Sequence, residues 1–352
     1  MRGGEGIMDG MPVHLRFSKL EFFLIRSSLS IICQLFDAVD ILSLIRLGST
    51  SKALRRLFLC YAQSTWDPAK CYRRWFADVL EFRRILRKSN AVVSGSFALQ
   101  FFDRTFYPES DMDIFTRVAG VSVVCDFLIS EGYQCDGHSE KYEQHSYEKG
   151  NHFLKAVMNV SSYDDPLLGV YAFRKFVGSG HGRIDVLHVQ VVVVDTDPIE
   201  HVLFDFHSTV VLNFLTADDA ISVFPLATFI HRLSYISKIR REPADRSEGW
   251  ISKYRGRGFK FIGAENVHEA RHVPAGVRYA GDKFSWRIGL LRMWHCHPVM
   301  QLVCLFTLAE SSQERGLYGA PIVGVAFEVL TLENTAVTKG SYLRIAEPYV
   351  WR

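Results

Sequence analysis

Apolar positions along the chain change period several times, and each change marks an element. From residue 28 to 60, SLSIICQLFDAVDILSLIRLGSTSKALRRLFLC, the spacing is helical. Ile31, Ile32, Leu35 and Phe36 make one stripe, Ile41, Leu42, Leu44 and Ile45 a second, and Leu54, Leu57 and Phe58 a third. Asp37 and Asp40 lie between the first two, and Gly48-Ser49-Thr50-Ser51 can cap the third, so the pattern predicts three short helices. Lys70 to Lys88 predicts one longer amphipathic helix. Its inward face is Tyr72, Trp75, Phe76, Val79, Leu80 and Phe82, and its basic residues are Arg73, Arg74, Arg83, Arg84, Arg87 and Lys88.

The period then shortens. Ala91 to Val93 reads as a strand, Ser94-Gly95-Ser96 as a turn, and the following apolar residues as a short helix with Ser96 at its N-cap. After a loop holding Pro108, a second strand carries Asp111 and Asp113. Alternation sends both carboxylates to one face, with Met112 and Ile114 packing behind them. Gly95 permits a tight turn and a close backbone approach. The helix N-terminus beyond it offers free N–H groups and a partial positive charge suited to phosphate. Two carboxylates on one face can hold divalent cations ~3.5–4 Å apart, the arrangement that serves in-line displacement at phosphorus.

Downstream, residues 118–131 predict a helix stopped at Gly132-Tyr133, and 134–166 a polar loop or hairpin region. Leu168 to Val177 and Arg183 to Val194 predict a hairpin across the glycine cluster between them. Ile199 to Phe214 and Pro225 to Arg240 carry apolar stripes and predict helices. Lys253 to Lys260 reads as a basic, glycine-spaced loop, and 321–352 as one or two closing strands.

The Gly95-Ser96 pair, a gap of fourteen residues, and Asp111-x-Asp113 between apolar neighbours resemble the signature of the polymerase-beta-like nucleotidyltransferase fold. GSFALQFF, SDMDIF and the later VQVVVVDTDPIEHVLFDFHSTVVLNFLT are similar to a fungal family of nucleotidyltransferase-like proteins, over roughly Leu29 to Phe229. The resemblance implies Mg²⁺ or Mn²⁺ on Asp111 and Asp113, Gly95 and Ser96 on the phosphates of an NTP, and transfer of a nucleoside monophosphate to a hydroxyl. In that family an F-box-like segment commonly comes first. The helices of 28–60 resemble it, with Ser28-Leu29-Ser30 where Leu-Pro is usual. The implied partner is a Skp-type adaptor of a ubiquitin ligase. A non-catalytic adaptor with a degenerate transferase domain is therefore the rival reading.

Such transferases use a third carboxylate to bind metal and help deprotonate the acceptor. Asp185 and Gln190 are the candidates on the 183–194 strand. They lie five residues apart and so face opposite ways. The face of Asp185 continues as Leu187, Val189, Val191 and Val193, whereas that of Gln190 includes His188. Alignment with the resembled family also gives Gln190 the third-carboxylate position, where an amide is a ligand but a poor base. A separate signal, His268-Glu269-Ala270-Arg271-His272, spells the zinc-hydrolase pattern HExxH, but Pro274 and Gly276 end any helix there. His295-Cys296-His297 is too tight a cluster for its ligands to converge.

Composition narrows the rest. Aromatic residues at 13% and charged residues at 22% describe a folded chain and not a disordered one; its α+β class is what the resemblance implies. A net charge of +3 does not by itself point to nucleic acid. Seven cysteines without a CxxC pair fit reduced thiols. The apolar run Phe22 to Phe36 is interrupted by Arg26, Ser27, Ser28 and Ser30, so neither a membrane span nor a signal segment is expected and the location is cytoplasmic or nuclear. The expected organisation is a frayed tail (1–20), an F-box-like helical segment (21–66), and a nucleotidyltransferase-like mixed sheet flanked by helices (67–245). A helical and β extension follows (246–352).

Overall fold

A computed structural model of the chain describes residues 18–138, 167–179, 183–236, 244–262, 272–274, 276–290, 326–330 and 342–345. The chain divides into two compact units, Met1–Ser64 and Thr65–Arg352. Among the described residues no helix is long and apolar enough to cross a membrane.

The first unit holds helices α1 (Lys19–Arg26), α2 (Leu29–Asp37), α3 (Ile41–Thr50) and most of α4 (Lys52–Thr65). Local chemistry sets each start. Ser18 and Glu21 form a reciprocal capping box, Ser28 caps α2, Asp40 accepts from the Ser43 amide at 2.9 Å, and Ser51 accepts from the Leu54 amide at 3.2 Å. Ile32, Phe36, Leu44, Leu54 and Phe58 are buried, and Tyr61 donates to Asp37 at 2.6 Å while its ring meets Phe36 edge to face. Ile31 and Leu35 of the first predicted stripe stay exposed.

In the second unit the expected helix over Lys70 to Lys88 is two helices, α5 (Pro68–Tyr72) and α6 (Val79–Ser89). The break has a tertiary cause: the Glu131 carboxylate accepts from the Ala77 and Asp78 amides at 2.7 and 3.0 Å, and Asp78 then caps a fresh start. Tyr72, Trp75, Phe76, Val79 and Phe82 are buried as expected, but Leu80 is exposed.

Strand β1 (Val92–Ser94) leads into α7 (Gly95–Asp103), followed by β2 (Met112–Arg117), α8 (Val118–Ser130) and β3 (Gln134–His138). The rest of 134–166, from 139 onward, lies outside the described residues. β4 (Leu167–Ser179) and β5 (Arg183–Val194) form the predicted hairpin. Then come α9 (Pro198–Asp205), β6 (Asn213–Leu215), β7 (Asp219–Ser222), β8 (Leu233–Tyr235), α10 (Ala244–Gly256), β9 (Lys260–Ile262), β10 (Gly276–Tyr279) and β11 (Trp286–Gly289). β12 (Ala326–Leu330) and β13 (Tyr342–Ile345) pair with each other and continue from β10 as a small antiparallel sheet.

The architecture is α+β, a mixed sheet flanked by helices. Eight strands run in the order β11-β7-β6-β1-β2-β5-β4-β3, and within this sheet only β2 and β5 pair in parallel. Among the described residues, the segments 199–214 and 225–240, expected as helices, are helical only over α9, a 3₁₀ turn and a single π turn. They also supply the start of β6 and all of β8, and 237–240 lies outside the described residues. Short strands buried on both faces, such as Asn213–Leu215, give an apolar run without alternation, which periodicity cannot separate from a helix. β11, from the expected extension, joins the main sheet beside β7.

Burial fixes which way β2 faces. Met112, Ile114, Val189, Val191 and Val193 are completely buried on the side covered by α8, while Phe115, Val192 and Val194 join α9 residues Val202 and Leu203 in the core on the other side. A one-residue slip would exchange the two apolar sets between differently shaped faces and turn Asp113 and Gln190 into the packing under α8, so the register is strongly specified. That register forces Asp113 onto the α9 side, at the end of the sheet where the apolar cluster stops.

Candidate functional site

The site is a corner between β1, β2 and α7. Gly95 takes φ +68°, a left-handed conformation, and opens α7 directly after Ser94. The N-cap position is Ser94 and not Ser96 as expected. The Ser94 hydroxyl makes no capping bond because it donates to the Asn213 carbonyl at 2.6 Å, tying β1 to β6. Ser94 pairs with Asp113 across the ladder, which brings the acid against the glycine: a Cβ on Gly95 would lie 2.4 Å from Asp113 Oδ2.

Asp111 and Asp113 are both partly exposed, with Met112 buried between them. Burial, and then the charge of Asp111, pushes Asp113 up to about 7, with Lys253 pulling the other way. Gln190 lies opposite Asp113 in the parallel ladder and donates from Nε2 to Asp111 Oδ2 at 2.9 Å. Of the two third-ligand candidates, Gln190 therefore meets the acids. Asp185 is exposed and pairs opposite Val177, away from them. Among the described residues no group of three or more His, Cys, Asp or Glu side chains could hold a metal. The full set of three carboxylates is not present there.

Ser96 is buried, and its hydroxyl meets Tyr254 Oη at 3.2 Å and Arg257 Nη1 at 2.9 Å. The other arm of Arg257 donates to Glu109 Oε1 at 2.9 Å and Ser110 Oγ at 3.1 Å, and its guanidinium lies over the Tyr107 ring. Arg257 thus clamps the start of α7 to the loop before β2. Tyr254 is shifted upward by burial, and His207, stacked on Trp250 with ring centroids 3.9 Å apart, is held down at about 4 by burial and by Lys253. The predicted basic loop is instead the last turn of α10, a left-handed Gly258 and the start of β9. Sequence reasoning flagged its charges but missed Tyr254 and the clamp. Trp250 and Tyr254, four apart on one helical face, were the available signal.

A cleft of about 490 Å³ opens beside Asp111, lined by Arg74, Trp75, Pro108, Glu109, Ser110, Val186, Leu187 and His188. The HExxH segment lies outside the described residues apart from His272, whose ring stacks on His231 at 3.7 Å. His295-Cys296-His297 lies outside them entirely. The chain matches no protein-family model, no curated protein and no solved structure.

Proposed function

We propose that the second unit is a nucleotidyltransferase-like domain that binds an NTP with Mg²⁺ or Mn²⁺. One observation carries this reading: the Asp113 carboxylate pressed against a left-handed Gly95 at the head of a nine-residue helix. The free amides of that turn would receive the β- and γ-phosphates, with Arg257 and Lys253 as nearby positive charge.

The donor set fits a cation delivered with the phosphates. Mg²⁺ commonly takes one or two carboxylates and completes its shell with phosphate and water. Asp111 and Asp113 supply the carboxylates, and a bound cation would offset both causes of the elevated Asp113, burial first and the charge of Asp111 second. Gln190 offers its amide oxygen when the amide turns over. When bound, the cation supplies charge neutralisation at the transferring phosphoryl group. In the transfer an acceptor hydroxyl oxygen bonds to the α-phosphorus, the α–β bridge breaks, and pyrophosphate leaves. Gln190 cannot take the acceptor proton, so that proton goes to Asp111, and slow turnover is expected.

The test is binding of a fluorescent NTP with and without Mn²⁺. Asp111→Ala should abolish the metal-dependent part, and unchanged binding would remove the reading. The rival reading is an adaptor, favoured by the neutral Gln190 at the third position and by the exposed Leu29, Ile31 and Leu35 on α2. Residues 28–60 would dock on a Skp-type adaptor, and the second unit would present a partner surface. Co-purification lost in Leu29→Lys, with no label transfer from any NTP, would select it.

A further inference from the structure

Strand β5 overhangs its neighbour. β4 pairs with it from Arg183 to Val194, whereas β2 reaches it only from Val189 onward, through Met112. Among the described residues, 183–188 have no strand beside them on the β2 side. That open edge forms one wall of the cleft whose other wall is Arg74, Trp75, Pro108, Glu109, Ser110 and Asp111. Alternation puts Ile184, Val186 and His188 on the face of Gln190, with Phe176 paired to Val186 on the same face. Ile184, Val186 and Phe176 are 68%, 39% and 56% exposed. Proteins ordinarily blunt such an edge with charge or proline. Here Asp185 brings charge to the opposite face only, while the face of Gln190 is apolar at Ile184 and Val186 before His188 and the pair of carboxylates.

We infer that this edge binds an extended polypeptide as an added strand and presents a Ser or Thr hydroxyl of that peptide to Asp111 and Asp113 as the acceptor; this second half rests on the transferase reading. Continuing the Met112–Val189 register downward sets one docked residue opposite Val186, on the face of Gln190 and Asp113. At about 3.3 Å per residue it lies about 7 Å below the level of Asp111, with the room between left for the phosphates. A row of backbone N–H and C=O groups is answered by a second backbone and not by a nucleobase, and the exposed apolar positions receive alternate side chains. Arg74, exposed at the cleft, favours an acidic residue flanking the hydroxyl. The hydroxyl oxygen bonds to the α-phosphorus, pyrophosphate leaves, and the proton passes to Asp111.

The experiment uses the full chain and a fluorescein-labelled peptide of alternating Val and Ser or Thr, with Glu at both ends. Anisotropy should rise, and hydrogen exchange of amides 183–188 should slow at least tenfold. Ile184→Lys and Val186→Lys, each checked by circular dichroism, should weaken peptide binding at least tenfold and leave NTP binding unchanged. Absent binding, binding by both variants as tight as by the unaltered chain, or no slowing at 183–188 overturns the proposal, as does an oligouridylate that displaces the peptide. With NTP and peptide both bound, label should reach the Ser peptide and not its Ala counterpart; failure there overturns the acceptor role. Peptide protection in a chain that binds no NTP would instead sink the transferase reading and leave the strand-addition site standing.

Discussion

Alanine at Gly95 would set its Cβ 2.4 Å from Oδ2 of Asp113 and 3.5 Å from the carboxyl carbon. Two costs follow. At φ +68° a residue with a Cβ loses about 1–2 kcal/mol in the left-handed region. The clash adds about 0.5–1.5 kcal/mol, because Asp113 must leave its rotamer and cannot sink into the packed sheet behind it. A total of about 1.5–3.5 kcal/mol corresponds to a fall of roughly 3–14 °C in Tm for a unit of this size. Gly132 is the control: its φ is +87°, and an added Cβ meets only Lys175 Cε at 4.0 Å. Gly132→Ala therefore loses about 1–2 kcal/mol from backbone strain alone. Thermal unfolding and fluorescent-NTP titration should separate the two. Gly95→Ala should have the lower Tm and at least tenfold weaker NTP binding, whereas Gly132→Ala binds NTP normally. Equal Tm and equal binding in the two variants would refute the reasoning, because the corner would then be an ordinary turn.

Asp113 titrates near 7 in the folded chain and about 3.9 when unfolded, so the native state holds the extra proton between those values and stability falls as pH rises from about 4 to about 7. Asp113→Asn should flatten that slope, read as urea midpoints at pH 4.5 and 7.5 without divalent ions; an unchanged slope would place the titration elsewhere. Gln190→Glu sets a third acid beside Asp111. It should lower Tm without metal and raise Mn²⁺-dependent label transfer at least tenfold, and no gain would mean more than one missing carboxylate. Arg257→Lys keeps the charge but loses the fork that joins Ser96 to Glu109 and Ser110, so it should cost about 1–3 kcal/mol and weaken NTP binding. Calorimetry indistinguishable from wild type would show that the clamp holds nothing.

The residues that could be read in advance are those whose neighbours follow local rules. Strand alternation alone puts Asp111 and Asp113 together, and it survives because Met112 and Ile114 are buried on the opposite face. The five-residue separation of Asp185 and Gln190 likewise predicted that only one could join them. What escaped depends on distant partners. Nothing within Lys70 to Lys88 announces that a carboxylate 54 and 53 residues away will take the Ala77 and Asp78 amides and break the helix there. The stripe from 199 to 214 conceals β6 because both faces of that strand are covered. Arg257 looked like part of a mobile basic loop; only the folded α10 brings its fork to Ser96, which lies 161 residues earlier.

The amide at Gln190 bears on both functional readings through one electrostatic argument. Asp113 is already elevated by burial beside the charge of Asp111, so a third acid at 190 would raise the cost of the metal-free state further. Gln190 removes that cost and donates a hydrogen bond to Asp111 as well. The same substitution removes a base and an anionic ligand. If the transferase reading holds, cation and nucleotide affinity should therefore fall less than turnover, because two carboxylates and the helix terminus still serve binding, whereas proton removal is left to Asp111, which must also hold the cation. On the transferase reading, such a chain should bind NTP better than it consumes it. The adaptor reading requires no transfer at all, so the rate of label transfer set against NTP affinity divides the two.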